Sequence, residues 1–165
     1  MKKSEAGQSE EVGQSPWSQY TRKACEIEGL SSDSFADKPC NPKDFAYDLT
    51  VGMCSRNRQG ILEKTLRSLT DQTWPADRFQ VVVVNDGSTD GTAEMLEKIS
   101  PELPYPLVVC HQPHSGLATA RNTGIRASSG WVMLYIDDDV LADPRLIEEH
   151  LNIHRAHDKI VCNGW

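Results

Sequence analysis

The chain has 165 residues, and its 17 Lys and Arg against 24 Asp and Glu give a formal net charge of −7. This acidic balance argues against a nucleic-acid-binding protein, because such proteins need a basic surface to displace phosphate counterions. The longest apolar runs, at 81–84 and 131–136, are far shorter than the roughly 20 residues of a membrane-spanning helix. We therefore expect no transmembrane segment in this chain.

The cysteines and the amino terminus indicate the cellular compartment. The 5 cysteines are widely spaced and contain no C-x-x-C pair, so we expect neither a disulfide framework nor a cysteine-based zinc site. The first residues are polar and lack the apolar core of a secretory signal. Together these features predict a cytoplasmic protein.

Apolar residues are unevenly distributed along the chain. Residues 1–46 contain few branched aliphatic side chains, and 1–15 are rich in Ser, Glu, Gln and Gly. Such a segment buries too little apolar surface to offset the loss of chain entropy, so we expect a polar extension that is largely disordered at 1–15. For 16–46 two alternatives stay open, a short docked helix or a weakly ordered lead-in, and both depend on Trp17, Tyr20, Ile27 and Leu30. Residues 47–165 hold the domain.

From residue 47 onward, short apolar runs alternate with segments whose apolar residues recur at helical spacing. We predict strands at 49–54, 79–84, 107–110 and 131–136, and a fifth beginning at 160–162. The predicted helices lie at 60–72, through Ala93, Leu96 and Ile99, at 117–128 and at 144–157. Strands that alternate with helices of about a dozen residues form βαβ crossovers. The expected fold class is α/β, a Rossmann-like open and mostly parallel sheet with helices on both faces.

Polar residues follow three of these strands at their carboxyl ends, where parallel sheets bind ligands. They occupy 55–58, 85–91 and 137–139. Three consecutive carboxylates repel one another unless a cation lies among them, and Asp137 and Asp139 would point to the same side of an extended strand. Oxygen ligands of this kind suit Mg²⁺ or Mn²⁺ bound together with substrate phosphates. The alternative is a solvated acidic turn that caps the next helix, although Asp143 before a proline already supplies that cap.

Other patterns narrow the choice of chemistry. The segment 86–88, taken alone, is typical of a plain turn. The sequence contains no G-x-G-x-x-G after a strand, no P-loop and no G-x-S-x-G nucleophile motif, which argues against dinucleotide, P-loop and serine-hydrolase sites. The D-x-D at 137–139 also differs from that of aspartyl-phosphate phosphatases, because its fifth position is Leu141 and only 24 residues follow it.

Three blocks in this order resemble the nucleotide-sugar-binding half of family 2 glycosyltransferases with the A-type fold, namely residues 81–92, 115–125 and 131–139. The resemblance runs from Asp48 to the end of the chain and identifies it as an N-terminal half. The first-strand motif departs from the family pattern of a proline, a hydroxyl residue, an aromatic residue and Asn. Here the corresponding residues are Cys54, Ser55, Arg56 and Asn57.

The resemblance implies a site for a nucleoside-diphosphate sugar, expected to be UDP-linked. Ser55 and Asp86 would contact its base and ribose, and Arg121 would lie near its diphosphate or sugar. The complete set implied for the nucleotide is Ser55, Asn57, Asp86, Ser88, Arg121 and Asp138. The implied ligands of the Mg²⁺ or Mn²⁺ ion are Asp137 and Asp139.

The resemblance also implies the reaction, an inverting transfer of the sugar to an acceptor that the sequence does not indicate. The general base is expected beyond Trp165, because Glu148 and Glu149 lie in a helix predicted to pack elsewhere. The domain at 47–165 would then be incomplete, with little or no transferase activity by itself. The alternative function is a non-catalytic module that binds a nucleotide or nucleotide sugar.

Overall fold

The computed structural model describes residues 41–157 and 160–163. The expectations for 1–15 and for nearly all of 16–46 therefore lie outside the described residues. At the end of the polar extension, Pro42–Asp44 forms one exposed turn of 3-10 helix that leads into the first strand.

Strands and helices alternate along the described chain. The strands, numbered in chain order, are β1 Tyr47–Ser55, β2 Phe79–Asp86, β3 Leu107–Gln112 and β4 Gly130–Tyr135. The helices are α1 Gln59–Ser68, α2 Thr92–Ile99, α3 Leu117–Ala127 and α4 Leu146–Ala156. Single 3-10 turns lie at Leu69–Asp71, Ala76–Arg78 and Ser100–Glu102. None of the helices in this described part has both the length and the apolarity needed to cross a bilayer.

The strands form one parallel sheet in the order β3-β2-β1-β4. Val51 in β1 pairs with Val81 of β2 on one side and with Leu134 of β4 on the other. The chain thus builds β1, β2 and β3 outward in one direction and then returns to add β4 beside β1. The predicted Rossmann-like, open parallel sheet is confirmed.

Helices cover both faces of the sheet. On one face α1, α2 and α4 bury apolar side chains against β1 and β2, and Leu62, Leu96 and Leu151 are completely buried there. On the other face α3 crosses β1 and β2 with the small residues Ala120 and Gly124 turned inward. Burial of β1 and β2 from both sides explains their nearly continuous apolar sequences.

β4 begins at a glycine because β1 approaches its backbone closely. The Gly130 N–H donates to Thr50 Oγ1 at 2.9 Å. A Cβ atom at residue 130 would overlap the backbone of Leu49 and Thr50, which cannot move without breaking the ladder. Only glycine fits at this point of the sheet.

A buried carboxylate lies at the amino end of the sheet. Asp48 is 4% exposed and accepts hydrogen bonds from Arg78 at 2.7 and 3.1 Å and from the Trp74 indole at 3.1 Å. Arg155 of α4 lies 3.8 Å from the same carboxylate and stacks over the Trp74 ring. This cluster holds the last helix and the turn before β2 to the central strand.

The structure corrects two predicted elements. A fifth strand at 160–162 is wrong: the segment has no regular secondary structure, pairs with no described strand, and exposes 93% of Val161. An extended segment without a partner ladder and a buried face gains too little to become a strand. The last helix starts at Leu146 instead of residue 144, because the Asp143 carboxylate accepts the Arg145 N–H at 2.8 Å and forms a turn first.

Candidate functional site

The carboxyl ends of β1 and β4 border a crevice in the sheet. β2 and β3 lie on one side of β1 and β4 lies on the other, so the crossover after β1 runs to one side and the crossover after β3 returns to the other. In open parallel sheets, this switch in direction leaves a space between the loops that follow the two strands, and ligands bind there. The loop after β1 and the acidic segment after β4 meet at this position.

A pocket of about 320 Å³ opens between these two loops. Asp137 and Asp139 are exposed in it, whereas Asp138 is buried. The residues that line the pocket are Cys54, Arg56, Arg58, Leu117, Asp137, Asp138 and Asp139. The structure therefore brings the predicted acidic segment together with two arginines that follow β1.

Arg58 provides a cation that contacts two of the three carboxylates. Its Nη1 donates to Asp139 Oδ2 at 2.9 Å and to Asp138 Oδ1 at 3.3 Å. The Asp137 carboxylate makes no hydrogen bond or ion pair with any described residue. Sequence reasoning assigned no role to Arg58, because the contact joins residues 80 and 81 positions apart in the chain.

Helix α1 fixes the backbone of the acidic loop through polar side chains. Thr65 Oγ1 donates to the carbonyl of Asp138 at 2.9 Å, and Ser68 Oγ accepts the Ala142 N–H at 3.0 Å. Thr65 is buried, so this hydrogen bond is shielded from water. The acidic residues are thus presented by a loop that is bonded along its length to a neighbouring helix.

Asp86, at the end of β2, holds the loop that precedes α3. Its Oδ1 accepts from Gln112 Nε2 at 2.7 Å and from the Ser115 N–H at 2.9 Å. Its Oδ2 accepts from His114 Nδ1 at 2.7 Å and from the Gly116 N–H at 3.1 Å. Burial alone would raise the pKa of this carboxyl, but the four hydrogen bonds, led by that of Ser115, lower the pKa to about 2. Every acceptor position of the ionised carboxylate is occupied by the protein.

The loops after β1 and β2 are tied to each other by side chains. The Asn57 N–H donates to Ser88 Oγ at 3.0 Å, and Asn57 Oδ1 accepts the Thr89 N–H at 2.7 Å. Asn57 has a φ of +54°, a left-handed conformation that asparagine tolerates better than most residues. Two of the predicted nucleotide-binding residues, Asn57 and Ser88, therefore hold each other in place.

Two other predicted residues keep polar groups free of such internal bonds. Ser55 is 3% exposed, and its Oγ is the buried side-chain atom without a hydrogen-bond partner among the described residues. Arg121 on α3 is exposed, with its guanidinium carbon 5.8 Å from the centre of the Tyr135 ring. An orphaned hydroxyl and an exposed guanidinium are groups that a ligand can engage.

Residues 50–165 match glycosyl transferase family 2. The chain belongs to this family. The match covers β2, β3, β4 and all of β1 except its first three residues, together with the crevice and the acidic loop.

Several curated relatives of the family 2 domain are named glycosyltransferases or glucosyltransferases. The validoxylamine A glucosyltransferase of Streptomyces hygroscopicus subsp. limoneus is 34% identical over 122 residues, which is 71% of this chain and 27% of that protein. The minor teichoic acid biosynthesis protein GgaB of Bacillus subtilis is 28% identical over 117 residues, which is 71% of this chain and 13% of that protein. The chain thus spans about a quarter of the length of the first relative and about an eighth of the length of the second.

Solved structures show the same fold. The S. aureus TarS fragment 1–349 in complex with UDP-GlcNAc superimposes with a TM-score of 0.61 at 28% identity, over 67% of this chain and 32% of that one. The mannosyltransferase PcManGT of Pyrobaculum calidifontis, in complex with GDP-Man and Mn²⁺, has a TM-score of 0.60 at 24% identity, over 85% of this chain and 42% of that one. The A-type glycosyltransferase fold of the domain is confirmed.

The donor groups of the acidic loop fit a divalent cation. Within the described ranges, no three His, Cys, Asp or Glu side chains form a ligand cage. Two exposed carboxylates, Asp137 and Asp139, nevertheless face one pocket with room beside them. Mg²⁺ and Mn²⁺ are commonly bound by one or two carboxylates, with substrate phosphates and water as the remaining ligands. The residues present match that mode of binding.

Proposed function

We propose that this family 2 domain binds a UDP-linked sugar and serves its inverting transfer to an acceptor of unassigned chemistry. The observation that carries the proposal is the crevice between β1 and β4, where an acidic loop and two arginines line one open pocket. The TarS structures bound to UDP-GlcNAc and to UDP support a uridine nucleotide as the donor. We place the reaction in the cytoplasm, where free thiols such as Cys54 and Cys110 persist.

The residues proposed to bind the nucleotide sugar fall into two groups, according to whether their side chains already make hydrogen bonds within the protein. Ser55 and Arg121 offer polar groups for direct contact, the hydroxyl to the base or ribose and the guanidinium to the diphosphate. Asp86, Asn57 and Ser88 keep their loops in the positions that shape the nucleotide pocket. This second group would contribute to binding of the nucleotide sugar mainly by holding the backbone of these loops in position.

Asp137 and Asp139 would hold the divalent ion, Mg²⁺ or Mn²⁺, in this proposal, and the buried Asp138 would support the same loop. When bound, such an ion stabilises negative charge on the leaving diphosphate. Thr65 fixes the backbone of the loop, so the backbone that carries the two exposed carboxylates is held in place without the ion. The chain's own contribution is a preorganised acidic loop.

The general base belongs to a part of the protein beyond Trp165 in this proposal. Glu148 Oε2 accepts from Thr73 Oγ1 at 3.0 Å, and Glu149 pairs with Arg145 on the surface of α4. Neither carboxylate lines the pocket of the acidic loop. A base must reach the acceptor hydroxyl within hydrogen-bond distance, which these two do not offer.

Calorimetry of the full chain with UDP and Mn²⁺ tests the donor site. We expect metal-dependent UDP binding that weakens by at least roughly tenfold, about 1.4 kcal/mol, in the double variant Asp137→Ala with Asp139→Ala. The matched control replaces Asp71 and Asp77 by alanine, since both are exposed aspartates outside the crevice. Metal-independent UDP binding, or equal losses in both double variants, would contradict the site.

A non-catalytic binding module is the second candidate, and the engagement of Glu148 and Glu149 on α4 favours it. The two functions differ in turnover. Release of UDP from a panel of UDP-sugars, measured for this chain and for a protein extended beyond Trp165, separates them. Turnover by the extended protein supports the transferase, whereas UDP-sugar binding without turnover in both supports the module.

A further inference from the structure

Arg58 forms an ion pair with Asp139, one of the two proposed metal ligands. Its Nη1 lies 2.9 Å from Asp139 Oδ2 and 3.3 Å from Asp138 Oδ1. The side chains of Arg58 and Asp139 are 46% and 50% exposed, whereas that of Asp138 is 10% exposed. The guanidinium therefore has one buried partner and one partner that faces the open pocket.

The backbone of Arg58 is fixed although its side chain is exposed. Its carbonyl accepts the N–H groups of Leu62 at 2.9 Å and Ile61 at 3.2 Å, which places it at the start of α1. A change of position by the guanidinium consequently needs only side-chain rotation. The partner that it can give up at least cost is the exposed Asp139, because water replaces that contact readily.

The charges explain why the position of this arginine matters. A divalent ion bound to Asp139 would lie within a few ångströms of the guanidinium, and two cations at that distance repel each other. Arg56 lines the same pocket but contacts no carboxylate among the described residues. Of the two arginines that line this pocket, Arg58 is the one that pairs with Asp139.

We propose that Arg58 is a resident counter-ion that competes with the divalent metal for Asp139 and makes metal binding depend on the diphosphate. The inference rests on the proposed function. A diphosphate in the pocket gives the displaced guanidinium new oxygen acceptors, for which arginine is well suited. When the metal binds without the diphosphate, it must displace Arg58 from Asp139, and the guanidinium then gains no new acceptor in place of the lost ion pair. The metal and diphosphate together replace the lost ion pair, so each strengthens the binding of the other.

The first measurement is the affinity for Mn²⁺ alone, from the electron paramagnetic resonance signal of free Mn²⁺ in titrations of the full chain. Arg58→Gln should bind Mn²⁺ about three- to fivefold more tightly than the parent, as expected for loss of one half-exposed competing ion pair. Arg56→Gln removes the same charge from the same pocket without removing an ion pair. Its gain in Mn²⁺ affinity should therefore be smaller. Arg58→Met, a second uncharged variant, should reproduce the result of Arg58→Gln.

The second measurement is the factor by which saturating UDP tightens Mn²⁺ binding. A purely structural role of Arg58 would not change this factor, whereas the proposal predicts a decrease of about threefold in Arg58→Gln. Unchanged Mn²⁺ affinity in both Arg58 variants, or an equal gain in Arg56→Gln, overturns the proposal. If the parent binds UDP but UDP tightens Mn²⁺ binding by the same factor in the parent and in Arg58→Gln, only this inference is overturned. Absence of UDP binding by the parent overturns the proposed function as well.

Discussion

Replacement of Asp86 by asparagine changes the chemistry of one carboxylate without changing its size. The carboxylate accepts four hydrogen bonds, from the side chains of Gln112 and His114 and from the N–H groups of Ser115 and Gly116. An amide offers one oxygen, so one pair of donors will face an NH₂ group. At least one backbone N–H in the loop before α3 then loses its partner. Such a loss costs about 1–3 kcal/mol for a buried group, and we expect the lower end of this range because Ser115 is exposed and Gly116 is half-buried.

The pH dependence gives a second estimate of what the ionised Asp86 contributes to the free energy of unfolding. The pKa of Asp86 is lowered from 3.8 to about 2, where burial opposes the shift and the hydrogen bonds more than offset it. A difference of this size corresponds to at most about 2.5 kcal/mol. We expect about 1.5 kcal/mol, because the His114 side chain that covers Oδ2 is 51% exposed and water screens that contact. Because the pKa is lowered in the folded state, this stabilisation is complete well above pH 3.8 and is lost as the pH falls towards 2.

Urea unfolding of the full chain, followed by circular dichroism from pH 7 to pH 2.5, tests the prediction. At pH 7 Asp86→Asn should be less stable than the parent by about 2 kcal/mol. Of this difference in stability, the part that comes from the lowered pKa of Asp86 should fall by about half by pH 3. Asp44→Asn, which changes an exposed carboxylate in the turn before β1, serves as the control and should show no gap at any pH. A gap for Asp86→Asn that is the same at pH 7 and pH 3 would refute the argument from the ionised carboxylate.

Three further substitutions test the sheet itself. Gly130→Ala should lower the free energy of unfolding by about 2–3 kcal/mol, because its methyl group would overlap the backbone of Thr50. Gly60→Ala, in α1 with open space around it, should instead raise that energy by up to about 0.5 kcal/mol. Urea unfolding measures both, and equal effects would contradict the packing argument. Asp48→Asn should cost about 2 kcal/mol through its lost ion pair with Arg78, with unchanged UDP affinity by calorimetry.

The sequence predicted the elements whose signals are local. The run of valines predicts β2, which is buried along its whole length. The helical spacing of leucines likewise predicts α1. The acidic segment was also placed correctly at the end of β4. These features depend on residues close together in the chain, where periodicity is informative.

The contacts that determine the chemistry of the crevice depend on residues far apart. Arg58 meets the acidic loop only because β1 and β4 are neighbours in the sheet, an order that the pattern of strands did not provide. The four donors to Asp86 come from the end of β3 and the loop after it, 26–30 positions away, so the pattern of the sequence does not predict its engagement with the protein. The failed strand at 160–162 shows the converse error, an apolar run without a partner.

The central position of β1 has a consequence for synthesis of the protein. Its pairing with β2 joins residues about 30 positions apart, as in the bond from Gln80 to Thr50, whereas Gly130 of β4 meets the same threonine across 80 positions. One edge of β1 therefore stays open on the ribosome until β4 emerges. An exposed apolar strand edge can pair with another chain, and contacts of long sequence separation form slowly. At high levels of expression, the risk of aggregation should thus be greatest before β4 has emerged from the ribosome.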